Sequence, residues 1–341
     1  MKGRGASHNP PNRFEPLELE WEVPPPETVP TQYLVDSSRS VISTNDSPDV
    51  GFEVSLNPYR GCSHGCSYCY ARNTHEYLGF SAGLDFESRI LVKSDAPRLL
   101  RETLAASSWK PRPLALSGVT DPYQPVEKKL ELTRGCLEVL AEARHPTLLI
   151  TKNRLVTRDL DLLRELARYE AVAVALSIPT LDGELARVME PRASHPRDRL
   201  AAVRELSAAG VPTSVMIAPV IPGLTDHEAP AILEAAADAG ARSAAYVLLK
   251  LPGAVRGVFL AWLAEHLPDR ESKVLSRIRA FRDGRLNQTD FAVRGRGSTP
   301  LAREFEQFFA VHRRLRGLDR PRPELSTEHF RPPETDQKRL F

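Results

Sequence analysis

Three of the chain's four cysteines lie close together, at Cys62, Cys66 and Cys69, with the spacing C-x3-C-x2-C. Thiols this near to one another along the chain can all face one metal centre, and thiolates favour soft metals and iron–sulfur clusters. The fourth, Cys136, lies in a helix-like stretch and is expected to be buried in the core. Three ligands on a four-iron cluster would leave one iron open to bind a cofactor or a substrate.

Two other interpretations of the cysteines stay open at this stage. One is a tetrahedral zinc site with His64 as the fourth ligand, although such sites usually draw on a second pair of cysteines or histidines. The chain has no second cysteine pair. The other interpretation is a redox-active or incidental thiol cluster.

The aromatic residue Tyr68 directly precedes the third cysteine. With the cysteine spacing, it resembles the hallmark of the radical S-adenosylmethionine (SAM) superfamily. The resemblance implies that Cys62, Cys66 and Cys69 hold a 4Fe–4S cluster, whose open iron binds the amino and carboxylate groups of SAM. It also implies reductive cleavage of SAM to methionine and a 5′-deoxyadenosyl radical that abstracts hydrogen from a substrate. Tyr68 itself is expected to lie at the cofactor.

The segments 57–70 (NPYRGCSHGCSYCY) and 120–127 (TDPYQPVE) are similar to the spore photoproduct lyase-like branch of that superfamily, often labelled DNA-repair-photolyase-like. By this resemblance Tyr68 and Tyr70 correspond to tyrosines linked to radical transfer. The lyase carries a hydrogen-donating cysteine where this chain has Gly118-Val119. The chain therefore resembles the lyase's uncharacterised relatives more than the lyase itself.

A second group of polar residues, Ser117, Thr120 and Asp121, follows a predicted strand. A zwitterionic cofactor needs acceptors for its ammonium and hydroxyl groups, and these side chains offer them. We therefore expect them to bind SAM. The simpler alternative is that Thr120 or Asp121 only caps the turn before Pro122.

Three further candidates end the next three predicted strands. Lys152 can pair with a carboxylate, which by resemblance is that of SAM. Ser177 stands where the family places a SAM-contacting serine, and Pro219 lies in a segment similar to the apolar strand end that packs on adenine. The alternatives are a solvent-exposed lysine, a turn-forming serine and an ordinary Pro/Gly loop.

Short apolar strands near residues 54, 115, 149, 174, 216 and 246 alternate with helix-like segments. This alternation predicts a parallel sheet with right-handed crossovers. Six units can form an open, partial (β/α)6 TIM-like barrel, which is also the fold that the resemblance implies. In such barrels the chemistry lies on loops at the carboxyl ends of the strands, where all the candidates above are expected. A further strand-like run at 89–93 lies outside the repeat.

Four regions are predicted along the chain. Residues 1–45 are polar and Pro-rich and are expected to form an extended arm with disordered ends, including a flexible tail at residues 2–5. Residues 46–253 form the partial barrel, and 254–318 a basic helical extension over one end of it. Residues 319–341 are expected to be a flexible tail.

Charge and composition indicate possible partners. Residues 270–316 contain 12 Lys and Arg against 5 Asp and Glu, which suits a nucleic acid, although a solvated helical surface is an equal alternative. No apolar run approaches the ~20 residues of a membrane span, so no membrane partner is expected. A secretory h-region is absent, which favours the cytoplasm. The family chemistry needs a reductant such as flavodoxin or ferredoxin.

The last five residues, QKRLF, have the form of a motif that docks on the bacterial replication sliding clamp, with Gln337, Leu340 and Phe341 as anchors. The alternative is a plain tail. For the whole chain, the motifs and the resemblance favour a radical SAM enzyme acting on a nucleic acid or a nucleic-acid-associated substrate. The alternatives are radical modification of a protein or small molecule, and a non-catalytic metal-binding interaction module.

Overall fold

The structure is a computed structural model that describes residues 1–15 and 28–334. Within these residues the strands are β1 Gln32–Val35, β2 Ile42–Thr44, β3 Val54–Leu56, β4 Tyr59–Arg60, β5 Arg89–Val92, β6 Leu114–Leu116, β7 Thr147–Thr151, β8 Val172–Ser177, β9 Thr213–Val220 and β10 Ser243–Leu248. The helices are α1 Leu84–Ser88, α2 Ala96–Ala105, α3 Glu127–Leu130, α4 Leu132–Glu142, α5 Leu160–Arg168, α6 Gly183–Met189, α7 Pro196–Ala208, α8 Ala229–Asp238, α9 Val255–His266, α10 Pro268–Ala280, α11 Phe291–Arg294 and α12 Pro300–Leu315.

The main sheet has seven strands in the order β10-β9-β8-β7-β6-β3-β2. Six of these strands pair in parallel, namely β3, β6, β7, β8, β9 and β10. Strand β2 pairs with β3 in the antiparallel direction. All six predicted strands are present, and each crossover moves one position along the sheet. In the described residues β10 and β2 are the sheet edges, so the barrel is open, as predicted.

The run at 89–93 is a strand of a separate, three-stranded sheet with the order β1-β5-β4. The segment after β6 forms two helices, α3 and α4, because Glu131 between them has a left-handed φ of 53°. The buried Glu127 carboxylate accepts hydrogen bonds from the Thr133 amide at 3.0 Å and the Tyr59 hydroxyl at 2.5 Å. A carboxylate at the first turn of α4 is favoured by the partial positive charge there.

The expectation of a flexible, disordered start to the chain is wrong for residues 1–15. Arg4, within the predicted flexible tail at 2–5, is only 4% exposed, and β1 and β2 both belong to the predicted arm. Composition favoured disorder because few apolar residues are available there. The segment is instead held by polar contacts, which composition does not reveal.

The prediction of a flexible tail is also wrong for residues 319–334. Asp319 bridges to Ser243 at the start of β10, and the Ser326 amide donates to Glu170 O at 3.0 Å, just before β8. The Phe330 ring then meets His145, just before β7, edge-on at 5.5 Å. The tail therefore crosses the amino ends of the strands, opposite the predicted site. The predicted clamp anchors Gln337, Leu340 and Phe341 lie outside the described residues.

The predicted helical extension contains α9, α10 and α12. Trp262 of α9 and Val274 and Ile278 of α10 belong to one buried apolar cluster that also includes Cys66 and Tyr68. Helices α9 and α10 therefore pack against the segment that carries Cys66 and Tyr68, whereas α12 packs on the main apolar core. In the described residues no helix is both long and apolar enough to cross a bilayer.

Candidate functional site

The cysteines lie on a loop, residues 61–70, which we call the cysteine loop and which follows β4. Backbone hydrogen bonds anchor the loop on both sides. The Cys62 amide donates to Phe86 O at 2.9 Å, and the Ser67 amide donates to Met189 O at 3.0 Å. The three thiols are thus held by chain segments far apart in sequence, beside the carboxyl ends of the strands.

Cys62 and Cys66 are each 7% exposed, and Cys69 is half-buried. Burial raises the pKa of the Cys66 thiol well above its usual value, and the Glu190 carboxylate adds to the rise. Burial, followed by the proximity of Cys62, raises the pKa of Cys69 to about 11. Neutral thiols in a site of this kind become thiolate ligands when a cationic centre binds and displaces the protons.

The donor set fits an iron–sulfur cluster. Two buried thiols and one half-buried thiol share one loop. In the described part of the chain the buried Ser67 hydroxyl has no hydrogen-bond partner, which leaves a free donor in that loop. No three His, Cys, Asp or Glu side chains of the described residues are grouped so that they could hold one metal ion. A four-iron cluster differs because each thiolate binds a different iron.

His64 is a poor zinc ligand in this arrangement. Its Nδ1 lies 3.4 Å from an Asp121 carboxylate oxygen, and its Nε2 lies 3.3 Å from the Asn153 side-chain amide. Burial alone would lower the pKa of His64, but Asp121 and Cys62 outweigh burial and raise it to about 10. Zinc needs the neutral ring with a free nitrogen.

The side chains of Thr120 and Gln124 form hydrogen bonds to the backbone of the cysteine loop. The Thr120 hydroxyl donates to Gly61 O at 2.7 Å, and the Gln124 amide donates to the same oxygen at 3.3 Å. Gln124 also accepts from the Ser63 amide at 3.0 Å. Sequence reasoning missed Gln124, although it lies inside the segment 120–127. Thr120 was predicted to bind cofactor, and its hydroxyl is instead engaged with the loop.

Asp121 is likewise occupied by the protein. Its carboxylate accepts from the Tyr123 amide at 2.9 Å, the Thr151 hydroxyl at 2.7 Å and the Lys152 amide at 2.8 Å, and it faces His64. Burial would raise the pKa of Asp121, but His64 and these hydrogen bonds outweigh burial and lower it. The carboxylate therefore ties the end of β7 to the cysteine loop.

Lys152, Ser177 and the Ala218–Pro219 segment come together from the ends of β7, β8 and β9. The Lys152 ammonium donates to the Ser177 hydroxyl and, at 3.2 Å, to Ala218 O. The Ser177 hydroxyl donates to the same carbonyl at 2.9 Å. Lys152 lies over the Tyr68 ring, 5.8 Å from its centroid, so this group adjoins the cysteine loop. The structure thus brings four of the predicted positions together.

Two charged residues of this group, Glu190 and Arg199, were not predicted. Glu190 is 2% exposed; it accepts from the Tyr68 hydroxyl and from Arg199, and it lies 3.7 Å from the Lys152 ammonium. Burial would raise the pKa of Glu190, but Arg199 and Lys152 outweigh burial and lower it. No local pattern marks Glu190 and Arg199, because each acts only through partners distant in sequence.

The remaining predicted positions lie at the rim of the site. Tyr70 is 56% exposed, and its hydroxyl donates to Gly118 O at 2.6 Å. Ser117 is half-buried and donates to Thr120 O at 3.2 Å. Cys136 is fully buried in α4, as predicted, and lies in the main apolar core instead of the site.

A family model described as the radical SAM superfamily matches residues 56–236, more than half of the chain. This chain belongs to the radical SAM superfamily. The matched stretch contains the cysteine loop and the ends of β6 to β9. The predicted superfamily resemblance is therefore confirmed.

An uncharacterised protein of Mycobacterium tuberculosis is 41% identical over 224 residues, covering 65% of this chain and 66% of that protein. The chain thus matches just under two thirds of that relative's length. The radical SAM Nalpha-GlyT isomerase of Pseudomonas phage M6 is 26% identical over 176 residues, covering 51% of this chain and 35% of the isomerase.

Among solved structures, a variant of spore photoproduct lyase aligns with a TM-score of 0.57 at 17% identity. The alignment covers 82% of this chain and 78% of the lyase. At this identity the likeness concerns the fold alone. The resemblance to the lyase-like branch is confirmed at that level, and with it the α/β class of the core.

Proposed function

We propose that this chain is a radical SAM enzyme in which Cys62, Cys66 and Cys69 hold a 4Fe–4S cluster. The observation that carries the proposal is the position of three thiols, two buried and one half-buried, on one loop beside the Lys152–Ser177 group. When bound, the cluster and SAM together supply reductive cleavage of SAM and a 5′-deoxyadenosyl radical. The chain supplies the ligands, the orientation and the exclusion of water.

The residues divide into two roles. Lys152 and Ser177 offer a cation and a hydroxyl for the carboxylate of SAM, with Pro219 and Tyr68 as apolar surfaces next to them. Thr120, Asp121 and Gln124, engaged within the protein, position the loop and the end of β7. Ser117 is half-buried and Tyr70 is exposed, so Tyr70 is accessible to a substrate. Asp121 and Thr120 thus act through other residues and do not need to touch the cofactor.

Release of 5′-deoxyadenosine tests the enzyme proposal. Anaerobically reconstituted, dithionite-reduced protein with SAM should release it, and the Cys66→Ala variant should not. Cys136→Ala is the matched control, because its thiol is buried away from the loop, and it should behave as wild type. Equal release by wild type and Cys66→Ala would overturn the proposal.

Metal content separates this proposal from the non-catalytic alternative. The cluster requires about four iron per chain and sulfide-to-iron charge-transfer absorption. One zinc per chain and no iron would support a metal-binding interaction module. A cluster-bearing enzyme needs low-potential electrons, so we propose a reductant such as flavodoxin or ferredoxin and a reducing compartment such as the cytoplasm.

We also propose a nucleic acid as the substrate. Val274 and Ile278 of helix α10 belong to the buried apolar cluster that also contains Cys66. Its other side carries the exposed residues Arg270, Lys273 and Arg277, which we call the basic stripe. Residues three and four apart share one helix face. No salt bridge within the described residues involves the stripe, so its charges are free to meet phosphates.

Binding measurements at low salt test the substrate class, since phosphate contacts are strongest there. Binding of single- or double-stranded DNA or RNA that weakens as salt increases is the expected result. Absence of binding at the lowest salt tested, with a cluster-loaded protein that cleaves SAM, would favour a protein or small-molecule substrate instead.

A further inference from the structure

The first residues of the chain lie against the cysteine loop. The Gly5 and Ala6 amides donate to the Glu87 carboxylate at 3.0 and 2.8 Å. The Arg4 guanidinium donates to Glu87 O at 2.6 Å. Glu87 is fully buried, so these contacts are shielded from water and each is worth more than a surface hydrogen bond.

Glu87 links this segment to a cluster ligand. Its carboxylate also accepts from Arg72, which is fully buried. Arg72 in turn donates to the backbone carbonyl of Cys66 through Nε at 3.0 Å and Nη2 at 2.8 Å. A continuous buried path of charged hydrogen bonds therefore runs from the Gly5 amide to Cys66.

Only glycine fits at position 5, because the backbone there lies directly against the backbone of Gly65 in the cysteine loop. A Cβ atom added to Gly5 would lie 1.7 Å from Gly65 O, in the middle of the cysteine loop. Gly65 has a φ of +69°, and a Cβ there would lie 2.7 Å from a Glu87 carboxylate oxygen. A methyl group at Gly5 would force the loop or the segment to move.

The contacts continue beyond Gly5. The Asn9 side chain exchanges two hydrogen bonds with Asp85, at 3.1 and 3.0 Å. The Asn12 amide donates to Glu76 O at 3.0 Å and Phe80 O at 2.9 Å. Residues 4–12 are therefore docked at specific positions along the chain that follows the cysteine loop.

We infer that residues 4–12, which we call the N-terminal brace, are a positioning element of the cluster site. The brace holds the cysteine loop in its ligand-presenting conformation through Glu87 and Arg72, and its backbone lies against the loop at Gly65. The inference rests on the proposed cluster. It assigns a role in cluster retention to residues far in sequence from the cysteines and outside the matched family region.

The first test compares Gly5→Ala with Gly257→Ala, because a Cβ at Gly257 meets nothing within 4 Å. Iron per chain is measured after anaerobic reconstitution. Iodoacetamide labelling of iron-free protein is measured at each cysteine by mass spectrometry, with the buried Cys136 as internal reference. We expect Gly5→Ala to lose most of its iron and to label at Cys66 about tenfold faster, as a buried network that loses a partner opens more often.

A second test deletes residues 2–8 from the full chain and adds back a synthetic peptide of residues 1–14. The peptide should restore iron retention and slow the labelling, whereas the same peptide with Gly5→Ala should not. If Gly5→Ala fails to fold by circular dichroism, Asn9→Ala, which removes only the two Asp85 contacts, replaces it and should shift labelling in the same direction.

The outcomes separate this inference from the proposed function. Wild-type iron content and labelling rates in folded Gly5→Ala and deletion variants would overturn the role of the brace while leaving the enzyme proposal intact. A wild-type chain that takes up no iron would overturn the enzyme proposal. In that case faster labelling of Cys66 in Gly5→Ala would still support the brace as the support of the loop, and unchanged labelling would reject it.

Discussion

The Tyr68 hydroxyl donates a hydrogen bond to the carboxylate of Glu190, which lies 122 residues further along the chain. This contact joins the cysteine loop to the segment after α6. Through Glu190 it also joins the loop to Arg199 on α7 and to Lys152 at the end of β7. The candidate cofactor site is therefore built on a buried charge network rather than on separate strand-end side chains.

The network predicts a large stability effect at Glu190. The change Glu190→Ala leaves Arg199, which is fully buried, without its carboxylate partner, and removing one partner of a buried ion pair costs about 3–5 kcal/mol. Urea unfolding of iron-free protein measures the loss. The control is Glu184→Ala, whose partner Arg187 is exposed and whose change should be small. Similar losses in both variants would contradict the network.

The position of Lys152 predicts that its replacement weakens SAM binding and leaves cluster retention unchanged. The change Lys152→Met keeps the length of the side chain and removes its charge. A hydrogen bond to a charged group contributes about 1.5–3 kcal/mol, so SAM affinity should fall about tenfold or more. Equilibrium dialysis with cluster-loaded protein measures this, and iron content should stay at the wild-type level. Lys128→Met, on the exposed side of α3, should bind SAM normally. Unchanged SAM affinity in Lys152→Met would contradict the predicted contact between Lys152 and the SAM carboxylate.

The basic stripe predicts the salt dependence of nucleic-acid binding. Replacing Arg270, Lys273 and Arg277 by alanine should weaken binding at low salt and reduce the slope of log K against log salt by about 2 on single strands and about 3 on duplex DNA. The matched control replaces three exposed arginines that have carboxylate partners, namely Arg168, Arg187 and Arg197. If the control triple lowers the slope as much as the stripe does, binding is not localised on α10.

His145 predicts an acid-labile contact at the opposite end of the barrel. The Trp109 indole N–H donates to His145 Nε2 at 3.2 Å, and Nδ1 faces Pro146 O at 3.1 Å, so the neutral ring satisfies both nitrogens. Burial lowers the pKa of His145 to about 4. Because the unfolded chain binds the proton more readily, stability is fully present above the unfolded pKa of ~6.5 and is lost as the pH falls towards the folded value, by up to about 3 kcal/mol.

Unfolding free energies at pH 7.5 and at pH values of about 6, 5 and 4 test this, with Trp109 fluorescence as a local reporter. The change His145→Phe removes the titrating group and should flatten that part of the pH dependence. His329, an exposed histidine in the tail, provides the control change His329→Phe, which should leave the profile as in wild type. A profile that His145→Phe does not flatten would assign the acid sensitivity to other groups.

The spacing of Cys62, Cys66 and Cys69 and the alternation of six strands with helices were readable from the sequence because both are local patterns. Parallel strands place their carboxyl ends at one edge, so Lys152, Ser177 and Pro219 could be assigned to a common site before any coordinates were known. The same reasoning assigned Thr120 and Asp121 to the cofactor, although the protein itself occupies their hydrogen-bonding groups.

Composition led to a wrong prediction of flexibility for two segments near the ends of the chain. Residues 4–12 and 319–334 contain few apolar residues, and the sequence therefore indicated flexibility. Their order arises from hydrogen bonds to Glu87, Asp85, Glu170 and other partners far along the chain. Such partners are invisible until the fold brings them together.

The sequence by itself determined the candidate ligand set and the architecture, because residue spacing and apolar periodicity depend on the local chain. Only the tertiary structure decided what holds the candidate ligands in place. Glu87, Arg72, Gln124, Glu190 and Arg199 are buried polar groups, and a buried polar group is stable only where the fold supplies its partner.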